Sequence, residues 1–204
     1  MVEWNLQHRQ GVAMTMPDLD VDLTGKLLVA MPGMDDPRFA GAVLFLCVHS
    51  PGQSMGLIIN KRMDEVTFSE LLEQLDIPGP APRDVPVCYG GPVDLRRGFV
   101  LHSGEYRPRG EEGLRVDHRF AMTGTLDVLE DIANGGGPGS ALLALGYAGW
   151  GGGQLESEIQ RNDWLVVDAS PDLVFGSEMD GKWDAALASL GIDPLLLSSE
   201  AGHA

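Results

Sequence analysis

The sequence predicts an α+β fold, a single domain in which a mixed β-sheet is flanked by helices. Three observations carry this. Short apolar runs come in adjacent pairs, helical periodicities are interspersed among them, and the strict strand–helix alternation of a doubly wound sheet is missing. At 204 residues the chain is long enough to bury one large core without disulfides or a metal, and neither an internal repeat nor a second-domain boundary interrupts it.

The elements follow in order. Residues 1–22 read as an N-terminal extension, partly disordered, ahead of a domain spanning 23–204. The extension lacks periodicity and ends in Asp18-Leu-Asp-Val-Asp22; its Val2, Trp4, Leu6 and Val12 are the side chains that would form a stripe if it docks. Lys26-Leu-Leu-Val-Ala-Met31 is the first strand. Asp35-Asp36-Pro37 supplies an N-cap and a proline at the first helical position, so a short helical turn is expected over 38–42. Strands over 42–49 and 55–60 are joined by Ser50-Pro-Gly-Gln-Ser54 as a hairpin. Thr67-Phe-Ser-Glu70 is a capping box, and Phe68, Leu71, Leu72 and Leu75 continue it at helical spacing up to Pro78.

Strands are then expected over 85–89, 98–103 and 114–122, the last two separated by the polar loop 106–113. Leu126, Leu129 and Ile132 mark a helix that Asn134-Gly-Gly-Gly137 ends. A strand over 140–147, a helix over 154–161, a strand over 164–168 and a helix over 178–190 complete the pattern.

Lysine and arginine number 14 against 30 for aspartate and glutamate, a formal net charge of −16. Such a chain repels phosphate backbones, so direct nucleic-acid binding is not expected; the same field favours solubility and basic protein partners, and a plain solvated acidic surface is the simpler reading of it. No apolar run approaches the length of a membrane helix, and residues 1–22 carry too many acids for a signal peptide, so the expected location is cytoplasmic. Cys47 and Cys88 lie in apolar runs and read as buried free thiols.

Familiar motifs fail on context. The glycines at 146, 149 and 151–153 do not have dinucleotide-loop spacing, and Glu156 and Glu158 at the following helix start oppose a phosphate. Gly52-Gln-Ser-Met-Gly56 has the letters of a nucleophile elbow, but a strand, not a helix, follows Ser54. Cys47, His49, Cys88, His102 and His118 show no metal-ligand spacing, and no cofactor is called for.

What remains is a polar and aromatic set at strand ends and glycine-rich bends: His49, Asn60, Lys61, Tyr89, Gly90, Gly91, His102, Ser103, Tyr147 and Trp150. If His49 and His102 converge, an imidazole there can act as a general base or bind an anion; the alternative is that each simply hydrogen-bonds the backbone. Trp150, between glycines, is an interface anchor if exposed, while Trp164 and Trp183 read as core.

Five stretches carry a resemblance: Gly25-Lys-Leu-Leu-Val-Ala-Met-Pro-Gly-Met-Asp-Asp-Pro37, Met55-Gly-Leu-Ile-Ile-Asn-Lys61, Tyr89-Gly-Gly-Pro-Val93, Gly98-Phe-Val-Leu-His-Ser103 and Leu145-Gly-Tyr-Ala-Gly-Trp-Gly-Gly-Gly-Gln-Leu-Glu-Ser-Glu-Ile159. In this order they closely resemble the AlgH/YqgE family of bacterial proteins, from about Thr24 to the end. The resemblance implies that family's fold and a link to regulation of alginate-type exopolysaccharide production; it implies no reaction. The leading expectation is a non-enzymatic regulatory module that binds a protein partner or small ligand through Gly90-Gly91 and 147–153. The alternatives are a small-molecule hydrolase using His49 or His102, and a regulator contacting DNA, which the net charge disfavours.

Overall fold

The computed structural model describes residues 21–109, 113–176 and 178–197. The expected N-terminal stripe, the chain terminus and three residues of the 106–113 loop lie outside them. Among the described residues nine strands form one sheet: β1 (Lys26–Ala30), β2 (Val43–Ser50), β3 (Gln53–Ile58), β4 (Val87–Tyr89), β5 (Val93–Ser103), β6 (Gly113–Arg115), β7 (Phe120–Thr123), β8 (Ala141–Gly151) and β9 (Trp164–Asp168). The order is β6-β7-β5-β8-β3-β2-β1-β9, with β4 added beside β8. Every pairing is antiparallel except β4 on β8, so the sheet is mixed by one parallel contact. Helices α1 (Phe68–Gln74), α2 (Leu126–Ala133), α3 (Gln154–Gln160), α4 (Pro171–Phe175) and α5 (Lys182–Ser189) flank it.

The sheet curls on itself. Phe45 of β2 and Phe120 of β7 stand several strands apart in the order, yet their rings pack at 5.0 Å, and Arg119 beside β7 donates to the carbonyl of Ala169 just past β9 at 2.7 Å. The inner face is filled by Leu27, Val29, Phe45, Leu57, Leu101 and Phe120, with Val174 of α4 and Ala186 and Leu187 of α5 packed on it. The outer face carries two further cores, one under α1 and α2 around Phe68, Val128, Ile132 and Leu143, the other under α3 around Leu44, Ile58, Leu155 and Trp164. Because alternate residues of β1 and β2 meet different cores, both faces are buried, and the strands read as continuous apolar runs.

The capping box forms as expected: Thr67 accepts from the Glu70 N–H, and Glu70 reaches back to the Thr67 N–H. Other expectations are corrected. Residues 38–42 make turns closed by Phe39 N–H to Asp36 O and Ala42 N–H to Phe39 O, not a helix. Ser50 and Gln53 bond each other, so the hairpin loop shrinks to Pro51-Gly52 and both strands shift toward it without changing length. The expected strand over 114–122 is a hairpin, β6 and β7, turned by Asp117, whose carboxylate accepts the N–H groups of Arg119 and Phe120. Ahead of the final helix the structure adds one that the sequence reading does not include: α4 starts on a Ser170 cap with Pro171 at its first turn. α5 begins only at Lys182, whose buried ammonium donates to the carbonyls of Leu173, Val174 and Gly176 at 2.8–2.9 Å.

Candidate functional site

β8 organises the region that the sequence singles out. Its first half is paired on both sides, with β4 at 143–145 and with β5 at 141–145. From Ala148 to Gly151 its partner is β3. Between β4 and β5 the chain crosses over β8 at Gly90-Gly91. The N–H of Gly90 donates to Leu145 O and its carbonyl accepts from Ile58 N–H, both at 2.8 Å. A Cβ on Gly90 would lie 2.3 Å from the Gly146 carbonyl oxygen. These glycines are a backbone crossing, not free loops.

The two histidines do not converge. His102 pairs with Ala141 at one end of β8, whereas His49 pairs with Ser54, which pairs with Trp150 near the other. Each ring is also committed internally. His49 Nδ1 accepts from the Leu23 N–H at 3.2 Å, which leaves Nε2–H to donate to Glu156 Oε1 at 2.9 Å; the ring clips residue 23 and α3 to the end of β2. His102 is fully buried, with Nδ1 3.0 Å from Ser103 O and Nε2 3.0 Å from Thr123 Oγ1. Ser103 Oγ donates to Glu105 and receives the Ser140 N–H, closing the far end of β8.

Burial holds the His102 imidazole below its ordinary pKa, against the Ser103 carbonyl and Glu105, which raise it. As pH falls below about 6.5 the unfolded chain takes up a proton that the folded chain refuses, so stability drops on acidification. We expect the stability of the parent protein to fall between pH 7 and 5.5 with a slope of at most about 1.4 kcal/mol per unit from this group. His102→Asn should be less stable at pH 7 but flatter across that window in urea titrations. Equal slopes would remove this role.

Asn60 and Lys61 are clamps on the 36–42 turns: Asn60 accepts from Val43 N–H and donates to Gly41 O, and Lys61 Nζ donates to Arg38 O at 2.7 Å. Tyr89 packs beside the same turns, with Phe39, against the α3 core. Tyr147 faces inward, its ring edge-on to Phe99 at 5.9 Å. Ser54 lies inside β3, which disposes of the elbow.

Trp150 is corrected from a possible exposed anchor to a buried wall, 6% exposed. Its indole stands edge-on to Trp164 at 6.1 Å, and Phe39 stands edge-on to Trp164 at 5.6 Å. Glu158 Oε2 accepts from both indole N–H groups at 2.8 Å, while Oε1 accepts from Gln154. Over these rings opens a cleft of about 520 Å³, bounded by the 34–39 turns, Pro92-Val93 and α3. Its charged lining is Asp35, Asp36, Glu158 and Asp163 against Arg38 and Arg161. Both arginines are paired within it, Arg38 to Asp36 at 2.7 Å and Arg161 to Asp163 at 3.0 Å, which leaves the cleft with an acidic surplus. Sequence reasoning missed Glu158 as the centre of this site; the signal was there in its spacing, four residues after Gln154 on one helix face. Among the described residues no cluster holds a metal ion, and no helix is long and apolar enough to cross a membrane.

A family model described as AlgH-like matches residues 27–195. A UPF0301 protein of Jannaschia sp. is 76% identical over 193 residues, covering 94% of this chain and all of the relative. One from Ruegeria pomeroyi is 59% identical over 186 residues, covering 90% of this chain and all of the relative. The solution structure of the AlgH protein from Pseudomonas aeruginosa superposes with a TM-score of 0.73 at 39% identity, over 91% of this chain and 97% of that one. A crystal structure of a Corynebacterium diphtheriae protein, TM-score 0.64 at 24% identity over 85% and 88% of the two chains, shares the fold.

Proposed function

The chain belongs to the AlgH-like family, and we propose that it works there as a non-enzymatic regulatory module whose cleft over Trp150 and Trp164 docks a basic segment of a protein partner. The observation that carries this reading is the joining of an acidic surplus to an aromatic wall in one cleft, on a chain of net charge −16. Guanidinium and ammonium groups are drawn to carboxylates and to aromatic faces, and their aliphatic stems cover apolar surface. A field of one sign speeds the encounter with a partner of the other and falls off with salt. The cleft is lined by Pro92-Val93, just past the Gly90-Gly91 crossing, and by Gly149 and Trp150 of β8, beside or within the two segments through which binding is expected from the sequence. Neither His49 nor His102 lines it, so the hydrolase reading has no imidazole to offer a substrate there.

The test uses a fluorescent hexa-arginine peptide and its hexa-glutamate counterpart. Only the first should bind, with affinity falling roughly tenfold or more between about 50 and 300 mM salt. Asp35 is exposed at the rim, so Asp35→Lys should weaken binding with the fold intact, whereas Glu73→Lys, the same charge change on α1 outside the cleft, should not. Equal losses from both variants would assign binding to the general field and overturn the cleft.

A further inference from the structure

On the inner side of β3 and β8, behind the wall that carries Trp150, a second cavity of about 430 Å³ opens where the curled sheet is left uncovered. Its floor belongs to the inner core: Phe99 and Met122 are 4% and 8% exposed, and Val48 and Met55 pack beside them. Its polar groups differ in kind from those of the outer cleft. There, arginines and carboxylates satisfy one another. Here the guanidinium of Arg97 lies 5.0 Å from the Phe99 ring centroid, over the floor, and among the described residues it meets no carboxylate. The side-chain amide of Gln53, which shares the Met55 side of β3, and the hydroxyl of Tyr147 likewise make no hydrogen bond among those residues. An apolar, partly aromatic floor beneath one uncompensated cation is complementary to one class of molecule.

We propose that this cavity binds a small organic acid with an apolar, preferentially aromatic body, its carboxylate on Arg97 and its ring against Phe99 and the two methionines. A guanidinium presents two parallel donors to a carboxylate, and the thioethers of Met55 and Met122 adapt to a ring edge. The site meets the outer cleft at Gly149 and Trp150, which line both, but differs from it in charge and ligand, and its test does not depend on the cleft's.

The experiment follows the methionine methyl signals of the full chain by NMR during titration with phenylacetate, with benzyl alcohol and benzylamine as neutral and cationic controls. Ring currents should move Met55 and Met122 in a saturating way with phenylacetate, and benzylamine should bind at least about tenfold more weakly, since its charge opposes Arg97. Arg97 is exposed, so Arg97→Met keeps the stem and the fold while removing the charge, and should lower phenylacetate affinity by roughly tenfold or more. Arg96→Met, on the neighbouring residue, should leave it unchanged. Methyl signals that do not move with phenylacetate, equal affinities for the acid and the amine, or an Arg97→Met variant that binds like the parent would each overturn the site.

Discussion

Gly91→Ala is expected to cost about 4 kcal/mol or more of folding stability, the largest loss of any single methyl in the described chain. Gly91 sits at φ 151°, in the half of backbone space that side chains avoid. Its new Cβ would fall 2.2 Å from the Tyr147 carbonyl carbon and 2.4 Å from the Ala148 nitrogen. Both obstacles are backbone atoms of a strand hydrogen-bonded to its neighbours, so no rotamer change relieves the clash. Relief requires the crossing to lift off β8, which breaks the Gly90 bonds to Leu145 and Ile58. A domain of ordinary stability holds about 5–15 kcal/mol in all, so the variant should lose a large share of its urea midpoint. Gly33→Ala is the matched control, because nothing lies within 4 Å of the place its methyl would take, and its stability should stay within about 0.5 kcal/mol of the parent. If the two variants unfold at the same urea concentration, the crossing is not as tight as described.

Glu158→Ala should lose about 3 kcal/mol, because it leaves two indole donors buried without an acceptor at about 1–3 kcal/mol each. Trp164 is 2% exposed and Trp150 6%, so water is poorly placed to replace the carboxylate. Glu158→Gln retains one carbonyl oxygen with two lone pairs and should lose roughly a third as much. Urea unfolding read by tryptophan fluorescence measures both, and an order Ala ≈ Gln ≈ parent would show that the indoles are satisfied elsewhere.

Local signals were legible wherever a few neighbouring residues decide the outcome. The Thr67–Glu70 box, the Leu126-Leu129-Ile132 stripe and the apolar runs of β1 and β2 all mark elements that form, and the order of motifs from Gly25 to Ile159 pointed to the right family and fold. Misreadings gathered where distant pairing decides. Gly149 and Gly151 weaken a strand on propensity, yet β8 continues to Gly151 because β3 pairs with it. Gly90, Gly91 and Gly146 read locally as bends; that they interlock depends on β4 and β5 taking opposite sides of one strand. His49 and His102 look alike in sequence, both near strand ends, and only the register puts β8 between them. Trp150 was legible as a special residue, but its burial comes from α3 folding back to place Glu158 under two indoles. Arg97 carried no local signal, since its neighbours along the chain do not show that the guanidinium stands over an open floor.

The central claim, that the outer cleft receives cationic side chains, is tested most directly by following the indole N–H signals of the protein during titration with the hexa-arginine peptide. Trp150 and Trp164 both donate to Glu158 in the cleft, whereas Trp183 donates to Ala30 O and does not line it. Saturating shifts at Trp150 and Trp164 with Trp183 unmoved are the predicted result. Shifts confined to Trp183, or none at Trp150 and Trp164 while the peptide binds, would place the partner elsewhere and contradict the account.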